Sequence, residues 1–516
     1  MKQSSTDLAR AAKTIGWTLV LLLGLAGCAQ LSEGINAVGD AGVVGSSAAS
    51  NAPVQSVVLF LGDGMGVSTV TAGRIYAGQK LGKTGEEHSL SFESFPDVAL
   101  VKTYNTDMQV PDSAGTMSAI VTGIKTRAGV ISIAPSAPRG DCAAALSAPV
   151  VTLLEQMEAS GLRTGVVSTA TITHATPAAT YAHSADRNWE SDSDMPEDAK
   201  AAGCRDIAAQ LIEFESDNEG SDGVDVILGG GRSNFFPASA VDPEYPEQTG
   251  NRTDGRDLTA EWLAAADNRT YVWNTGQFEA AENTEGQVFG LFEPSHMQFD
   301  ADRDVSPGGE PSLAAMTAFA IKRLNALSNG KPFFLMVEAG RIDHAHHGNN
   351  AYRALEDTLA LDDAVTTAQK LLGQDSLVIV TADHSHTFTI SGYPRRGNPM
   401  LGLVRGPDGE LGKDLNGQPY TTLGYANGSS AAKLAGVREA NGGKLPSLTD
   451  EEVLANNYQQ TSTVPLRAET HTGEDVAAYA TGPGSDGVRG VMEQNKLFDV
   501  MQSVLPSAVT STQNKK

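Results

Sequence analysis

Short apolar, β-branched runs recur along the chain, each trailed by a longer segment with helical patterning. The runs are SVVLFLG (56–62), RTGVVSTA (163–170), VDVILGG (224–230), PFFLMVEAG (332–340) and SLVIVTAD (376–383). A strand with apolar residues on both alternating faces has to be covered on both sides, which parallel sheets achieve and solvent-facing sheets do not. Between the runs lie PVVTLLEQMEASG, SLAAMTAFAIKRLNALSNG and AYRALEDTLALDDAVTTAQKLLG, whose apolar positions recur at helical spacing. The alternation predicts an α/β fold: a central, mostly parallel sheet flanked by helices on both faces. Two stretches break the rhythm. Residues 232–312 are rich in Pro, Asp, Asn and Glu, and residues 397–466 in Gly, Asn and Pro. Both read as insertions on the loop edge of the sheet, not as further strand–helix units. A strand is expected to resume near DVAAYATG, and the polar tail, 506–516, is expected to be frayed.

The formal net charge is −25. Such a field repels nucleic acid and anionic membrane surfaces, and an anionic substrate would need local cations to enter it. At the N-terminus Lys2, Arg10 and Lys13 precede the apolar stretch WTLVLLLGLAG, too short to span a bilayer, as in an export signal. The segment ends Leu25-Ala26-Gly27-Cys28 and resembles a bacterial lipobox, in which the cysteine is lipidated. Small residues follow to about residue 52, as in a flexible tether. In an exported chain the remaining pair, Cys142 and Cys204, is expected to form a disulfide, with two buried thiols as the alternative.

Residues with chemical potential cluster after the predicted strands, where open α/β sheets gather their ligands. Asp63 lies in LFLGDGMG among glycines that allow close backbone approach; a helix-capping aspartate would look the same. Ser113, in VPDSAGTMSAIVTG, stands where a helix begins. It is either a cap or a hydroxyl held in positive potential beside an anion. A serine needs a base or a metal to become a nucleophile, and no GxSxG elbow surrounds this one. TITHATPAATYAHSADRNW supplies His174, Thr176, a structural His183 and Arg187, whose planar fork suits phosphate or a surface salt bridge. In VEAGRIDHAHHG, Asp343 and His347 stand four apart, on one face of any helical turn, with Glu338 just before. IVTADHSHT adds Asp383 and His384, and ETHTGED adds His471. Eight of the ten histidines, all but His88 and His296, fall in these segments. Nitrogen and oxygen donors in this density suggest catalytic zinc.

Taken together, GDGMG, PDSAGT, HATPAATYAH with the following arginine, VEAGRIDHAHH, TADHS and HTGED resemble the alkaline phosphatase family, in the family's order, from about Val57 to Met501. The resemblance implies two zinc ions and one magnesium ion. Asp343, His347 and His471 would hold the first zinc, and Asp63, Asp383 and His384 the second, with Ser113 beside it as nucleophile. Asp63 would also reach the magnesium, completed by Thr176 and Glu338, with His174 ligating directly or through water. Arg187 would clamp phosphate and His344 would contact it through water; His346 receives no role. His174 and His344 stand where the enteric bacterial type has aspartate and lysine, and are similar to the animal type. DPEYP, GLFEP and the cysteine pair also match that branch, which carries a calcium ion; its ligands here would be Glu244, the Phe292 carbonyl, Glu293 and Glu310.

These readings together divide the chain into a lipoprotein-type signal (1–27), a tether (28–52), a phosphatase domain (53–505) and a disordered tail (506–516). Within the domain, insertion 232–312 would be metal-binding and insertion 397–466 crown-like. The resemblance implies hydrolysis of small phosphate monoesters through a phosphoserine by a homodimer, and the N-terminal signal implies that the chain lies in the periplasm or cell envelope, anchored to membrane through its N-terminal lipid. A phosphodiesterase or sulfatase on the same fold is the competing enzyme, and a non-catalytic surface lipoprotein the competing binding module.

Overall fold

The computed structural model of the chain describes residues 56–510, apart from 441 and 443–445. The export signal, Cys28, the tether and the last six positions of the tail lie outside the described residues. Among the described residues no helix is long and apolar enough to cross a membrane.

Ten strands form the central sheet: β1 (Ser56–Gly62), β2 (Asp97–Lys102), β3 (Arg163–Thr171), β4 (Val226–Gly230), β5 (Arg269–Val272), β6 (Gln287–Leu291), β7 (Phe333–Ala339), β8 (Ser376–Ala382), β14 (Val476–Thr481) and β15 (Gly490–Glu493). Their order is β15-β2-β14-β8-β1-β7-β3-β4-β6-β5. Only β14 runs antiparallel to its neighbours. The predicted apolar runs became the middle of this sheet, and β1, β7 and β8 are buried at every position. Helices Leu313–Ser328 and Ala351–Leu372 pack together over one face; helices Ser113–Thr122, Leu153–Ala159 and Ala175–Tyr181 pack over the other. Local chemistry sets their ends. Ser312 accepts the Ala315 N–H at the start of one helix, and Asn329, at φ 50°, closes it in the left-handed region.

Two expectations need correction. Residues 232–312 are not only a loop-edge insertion: helices Leu258–Ala265 and Thr275–Ala281 alternate with β5 and β6, which extend the sheet in parallel beyond β4. These strands hold four and five residues, and only Val272 of β5 is buried. So few alternations leave no periodicity to stand out from polar surroundings. The tail, too, keeps its fold beyond residue 505. Ser507–Thr510 is helical and Val509 is fully buried in the main core, because one apolar side chain suffices to dock a short segment.

Residues 397–466 hold most of a separate sheet. β10 (Phe388–Ile390) precedes them and pairs with β11 (Leu423–Gly428), which pairs with β12 (Ser462–Pro465). β9 (Ser385–His386) and β13 (His471–Thr472) form a two-residue ribbon above the main sheet.

Cys142 and Cys204 are joined in a disulfide, their Cα atoms 5.9 Å apart across 62 residues of sequence. The bond closes a loop around Trp189 and Met195, both in its local apolar cluster. Cys142→Ser should therefore cost about 2–4 kcal/mol of stability, read as a lower urea midpoint than the oxidised parent.

Candidate metal centre

The site lies at the carboxyl ends of β1, β7, β8 and β3. Register puts Gly62 of β1 level with Ala339 of β7 and Ala382 of β8, so Asp63, Glu338 and Asp383 are delivered side by side. Gly64 makes the close approach possible. It sits at φ 66°, donates its N–H to Asp383 Oδ1 at 3.0 Å, and any Cβ there would overlap the His386 ring.

Three donor sets converge. In the first, Asp343 Oδ1 lies 3.3 Å from both His347 Nε2 and His471 Nε2, which are 3.2 Å apart. His347 gives its Nδ1–H to the Glu469 carbonyl (2.6 Å) and His471 gives its own to the Pro111 carbonyl (2.8 Å). These bonds fix the tautomers so that both Nε2 lone pairs face the same point. In the second set His384 Nε2 is 3.4 Å from Asp63 Oδ1 and from Asp383 Oδ2, and 3.1 Å from Ser113 Oγ. The third gathers Asp63, His174 and Glu338 so that their donor atoms lie within 4.8 Å of one another.

Around the second and third sets several buried polar atoms are left without partners. Both Asp63 oxygens, Asp383 Oδ2, Glu338 Oε1, Thr176 Oγ1 and the Nδ1 atoms of His174 and His384 are buried and make no hydrogen bond. Burial, and then repulsion from Asp383, Asp343 and Glu338, holds the Asp63 carboxyl well above its usual range. Burial and the same neighbours push Glu338 up to about 7, against a hydrogen bond from Ser168. A buried group of carboxylates with idle oxygens and nitrogens fits divalent cations and little else.

Ser113 opens the helix Ser113–Thr122, and Asp112 is its cap, accepting the Gly115 N–H at 3.2 Å. The other Asp112 oxygen receives the Gly129 N–H (2.9 Å) and Arg187 Nη1 (3.3 Å). Arg187 Nη2 donates to His174 Nε2 at 2.9 Å. His344 Nδ1 accepts from Arg341 at 3.0 Å. His183 is structural, as expected, bonded to the Ser132 carbonyl and Glu155, and His346 is buried between Thr69 and Tyr425.

Three residues were missed from sequence. His386 sits with Nε2 2.8 Å from Asp343 Oδ1 and Nδ1 2.5 Å from Glu469 Oε2. Burial opposes its protonation, but these two carboxylates outweigh burial and raise the pKa to about 10. With both nitrogens committed, His386 orients Asp343 and has no lone pair for an ion. Glu469 binds His386 and the Thr387 N–H and hydroxyl, and its carbonyl takes His347. Both residues lie in motifs read for other positions, IVTADHSHT and ETHTGED. His296 carried no signal at all; its ring lies 4.2 Å from that of His344 and 5.5 Å from that of His174.

The acids expected to hold calcium cluster apart from this centre. Glu310 Oε2 is buried without a partner, and burial followed by Glu293 pushes its carboxyl up to about 9. Tyr245 and Gln298 each bond Glu293 Oε1 at 3.2 Å, while Arg232 holds Glu244 at 3.0 Å. Oxygen donors with an idle carboxylate fit calcium, although Arg232 already neutralises part of Glu244.

The family model for alkaline phosphatase matches residues 54–506. The chain is 43% identical over 455 residues to the tissue-nonspecific alkaline phosphatase isozyme of Gallus gallus, covering 87% of this chain and 83% of that protein. It is 41% identical to an alkaline phosphatase of Gadus morhua, over 87% of this chain and 91% of that one. Among solved structures, the alkaline phosphatase of Thermus thermophilus superposes with a TM-score of 0.61 at 24% identity, covering 88% of this chain and 91% of that one. The enzyme of the Antarctic bacterium TAB5 gives 0.58 at 22% identity, over 90% and 100% of the two chains.

Because the Glu469 carboxylate holds His386, which in turn orients the Asp343 carboxylate of the first set, Glu469→Gln should weaken metal retention roughly 10–100-fold. Competition with a chelator, followed by metal analysis, measures this; retention equal to the parent's would show that Glu469 orients nothing.

Proposed function

The chain belongs to the alkaline phosphatase family and is a phosphoric monoester hydrolase; from that premise we propose that Ser113 is its nucleophile, at a site built for two zinc ions and one magnesium ion. Asp343, His347 and His471 hold the first zinc. Asp63, Asp383 and His384 hold the second. Asp63, Thr176 and Glu338 hold magnesium. His174 accepts a hydrogen bond from Arg187 through Nε2, so in this arrangement its Nδ1 carries the proton and faces the third site as a donor, toward a water. Bound zinc ions would supply Lewis-acid stabilisation of the attacking and departing oxygens and lower the pKa of the hydroxyl between them.

The residues themselves do the rest. The Ser113 hydroxyl gives up its proton and its oxygen attacks phosphorus as the bond to the substrate's alcohol oxygen breaks; the phosphoryl group stays on Ser113, and the departing oxygen takes the electron pair and a proton to leave as the alcohol. Water then loses a proton and attacks phosphorus, the Ser113 oxygen leaves and regains a proton, and inorganic phosphate is released. Arg187 presents two N–H groups to the equatorial oxygens, and Asp112 aims it. The N-terminal N–H groups of the Ser113–Thr122 helix add positive potential where phosphate charge gathers. His344 reaches phosphate through water. The observation that carries this reading is Ser113 Oγ at 3.1 Å from His384 Nε2, in a nest of partnerless carboxylate oxygens.

Around the centre, the proposal extends to a calcium ion on Glu244, the Phe292 carbonyl, Glu293 and Glu310. It also includes a homodimer, supported by the exposed apolar row Val98, Leu100 and Val491 on β2 and β15, and attachment to the cell envelope through lipidated Cys28.

Ser113→Ala should lower kcat on the order of a thousandfold or more while inorganic phosphate still binds. Acid quenching of the parent with labelled phosphate should trap label on Ser113. Undiminished turnover in the variant, or label elsewhere, would sink the assignment. Calcium should raise the melting temperature of the parent but not of Glu310→Gln; equal shifts would remove Glu310 from any calcium site.

A further inference from the structure

Beside the Arg187–His174 clamp lies a polar cleft of about 260 Å³ that the reaction so far leaves unused. His296 forms its inner wall. The Thr171 backbone N–H donates to His296 Nδ1 at 3.0 Å, which places the ring's own proton on Nε2. The same ring packs against His344 and His174, so one imidazole separates the phosphate clamp from the cleft. Asn188, at the rim, directly follows the clamp residue Arg187.

The floor of the cleft is preorganised. Glu190 Oε2 receives the hydroxyls of Thr171 and Thr173 at 2.7 and 2.6 Å and the Asn234 amide at 3.1 Å. Asn251 in turn donates to Asn234 Oδ1 at 2.9 Å. These bonds hold the lining side chains, yet leave other groups idle. Among the described residues the Asn188 side-chain amide, Asn251 Oδ1, the Ser295 hydroxyl and His296 Nε2 make no hydrogen bond. Donors and acceptors are therefore both on offer within one concave surface.

The lining also says what it refuses. It contains carboxylates but neither lysine nor arginine, which disfavours an anionic group. Pro294 is its one apolar member, which disfavours an aryl or lipid group. We propose that this cleft is a subsite for the alcohol part of the substrate, and that it selects neutral polyhydroxylated alcohols, such as a sugar or glycerol, over aryl alcohols. The inference rests on the phosphomonoesterase reading above, since it needs phosphate held at Arg187. The selection would come from hydrogen bonds that a polyol satisfies and an aryl group leaves open.

The test compares glucose 6-phosphate with p-nitrophenyl phosphate in the parent, in Asn188→Ala, which removes a donor and acceptor at the rim, and in Ser295→Trp, which fills the cleft. The ratio of the two kcat/KM values, sugar ester over aryl ester, should fall roughly tenfold in either variant. Both values come from one preparation, so any loss of folded enzyme cancels. A ratio unchanged in both variants overturns the subsite. Failure of the parent to turn over either ester would instead overturn the phosphomonoesterase reading, which keeps the two failures apart.

Discussion

Four carboxylates buried within reach of one another, Asp63, Asp343, Asp383 and Glu338, are the constraint around which this molecule is organised. Burial leaves their mutual repulsion unscreened, and Arg187, which pulls Asp63 downward, does not outweigh it. Only Asp343 is held well below its usual pKa: burial would raise it, but His347, His386 and His471 outweigh that. The remaining acids are raised and keep idle oxygens. Divalent cations resolve this cost, and they also answer the wider difficulty that a chain of net charge −25 must admit an anionic substrate.

Holding such a cluster needs rigidity, and the fold supplies it twice. Register across β1, β7 and β8 fixes where Asp63, Glu338 and Asp383 emerge, because adjacent parallel strands leave no freedom to slip when both faces are buried. A ring of hydrogen bonds then fixes orientation. Glu469, from the loop before β13, reaches His386 and His347, and Pro111, just ahead of Ser113, holds His471. The nucleophile's loop and the first donor set are thus tied by one bond.

How much of this was legible in the chain varies by element. β1, β3, β7 and β8 were plain, because a strand covered on both faces must be apolar at nearly every position. β5 and β6 were not, because four or five residues at a sheet edge carry too little pattern. Ser113, Asp343 and His471 stood out as chemistry after strands. His386 and Glu469 lay in the same motifs yet stayed silent, since their work is done on residues 43 and 83 positions away from His386. His296, beside GLFEP but in none of the motifs read for the zinc and phosphate site, gave no sign of reaching His344.

The sequence by itself determined the fold class and the identity of the donors, since strand burial and ligand chemistry are properties of residue types in local order. The tertiary structure alone decided which ring nitrogen faces an ion, which imidazole serves as a charged brace instead, and where the polar cleft meets the clamp. Those outcomes depend on hydrogen bonds between segments brought together only by the sheet, and no local pattern encodes the far partner.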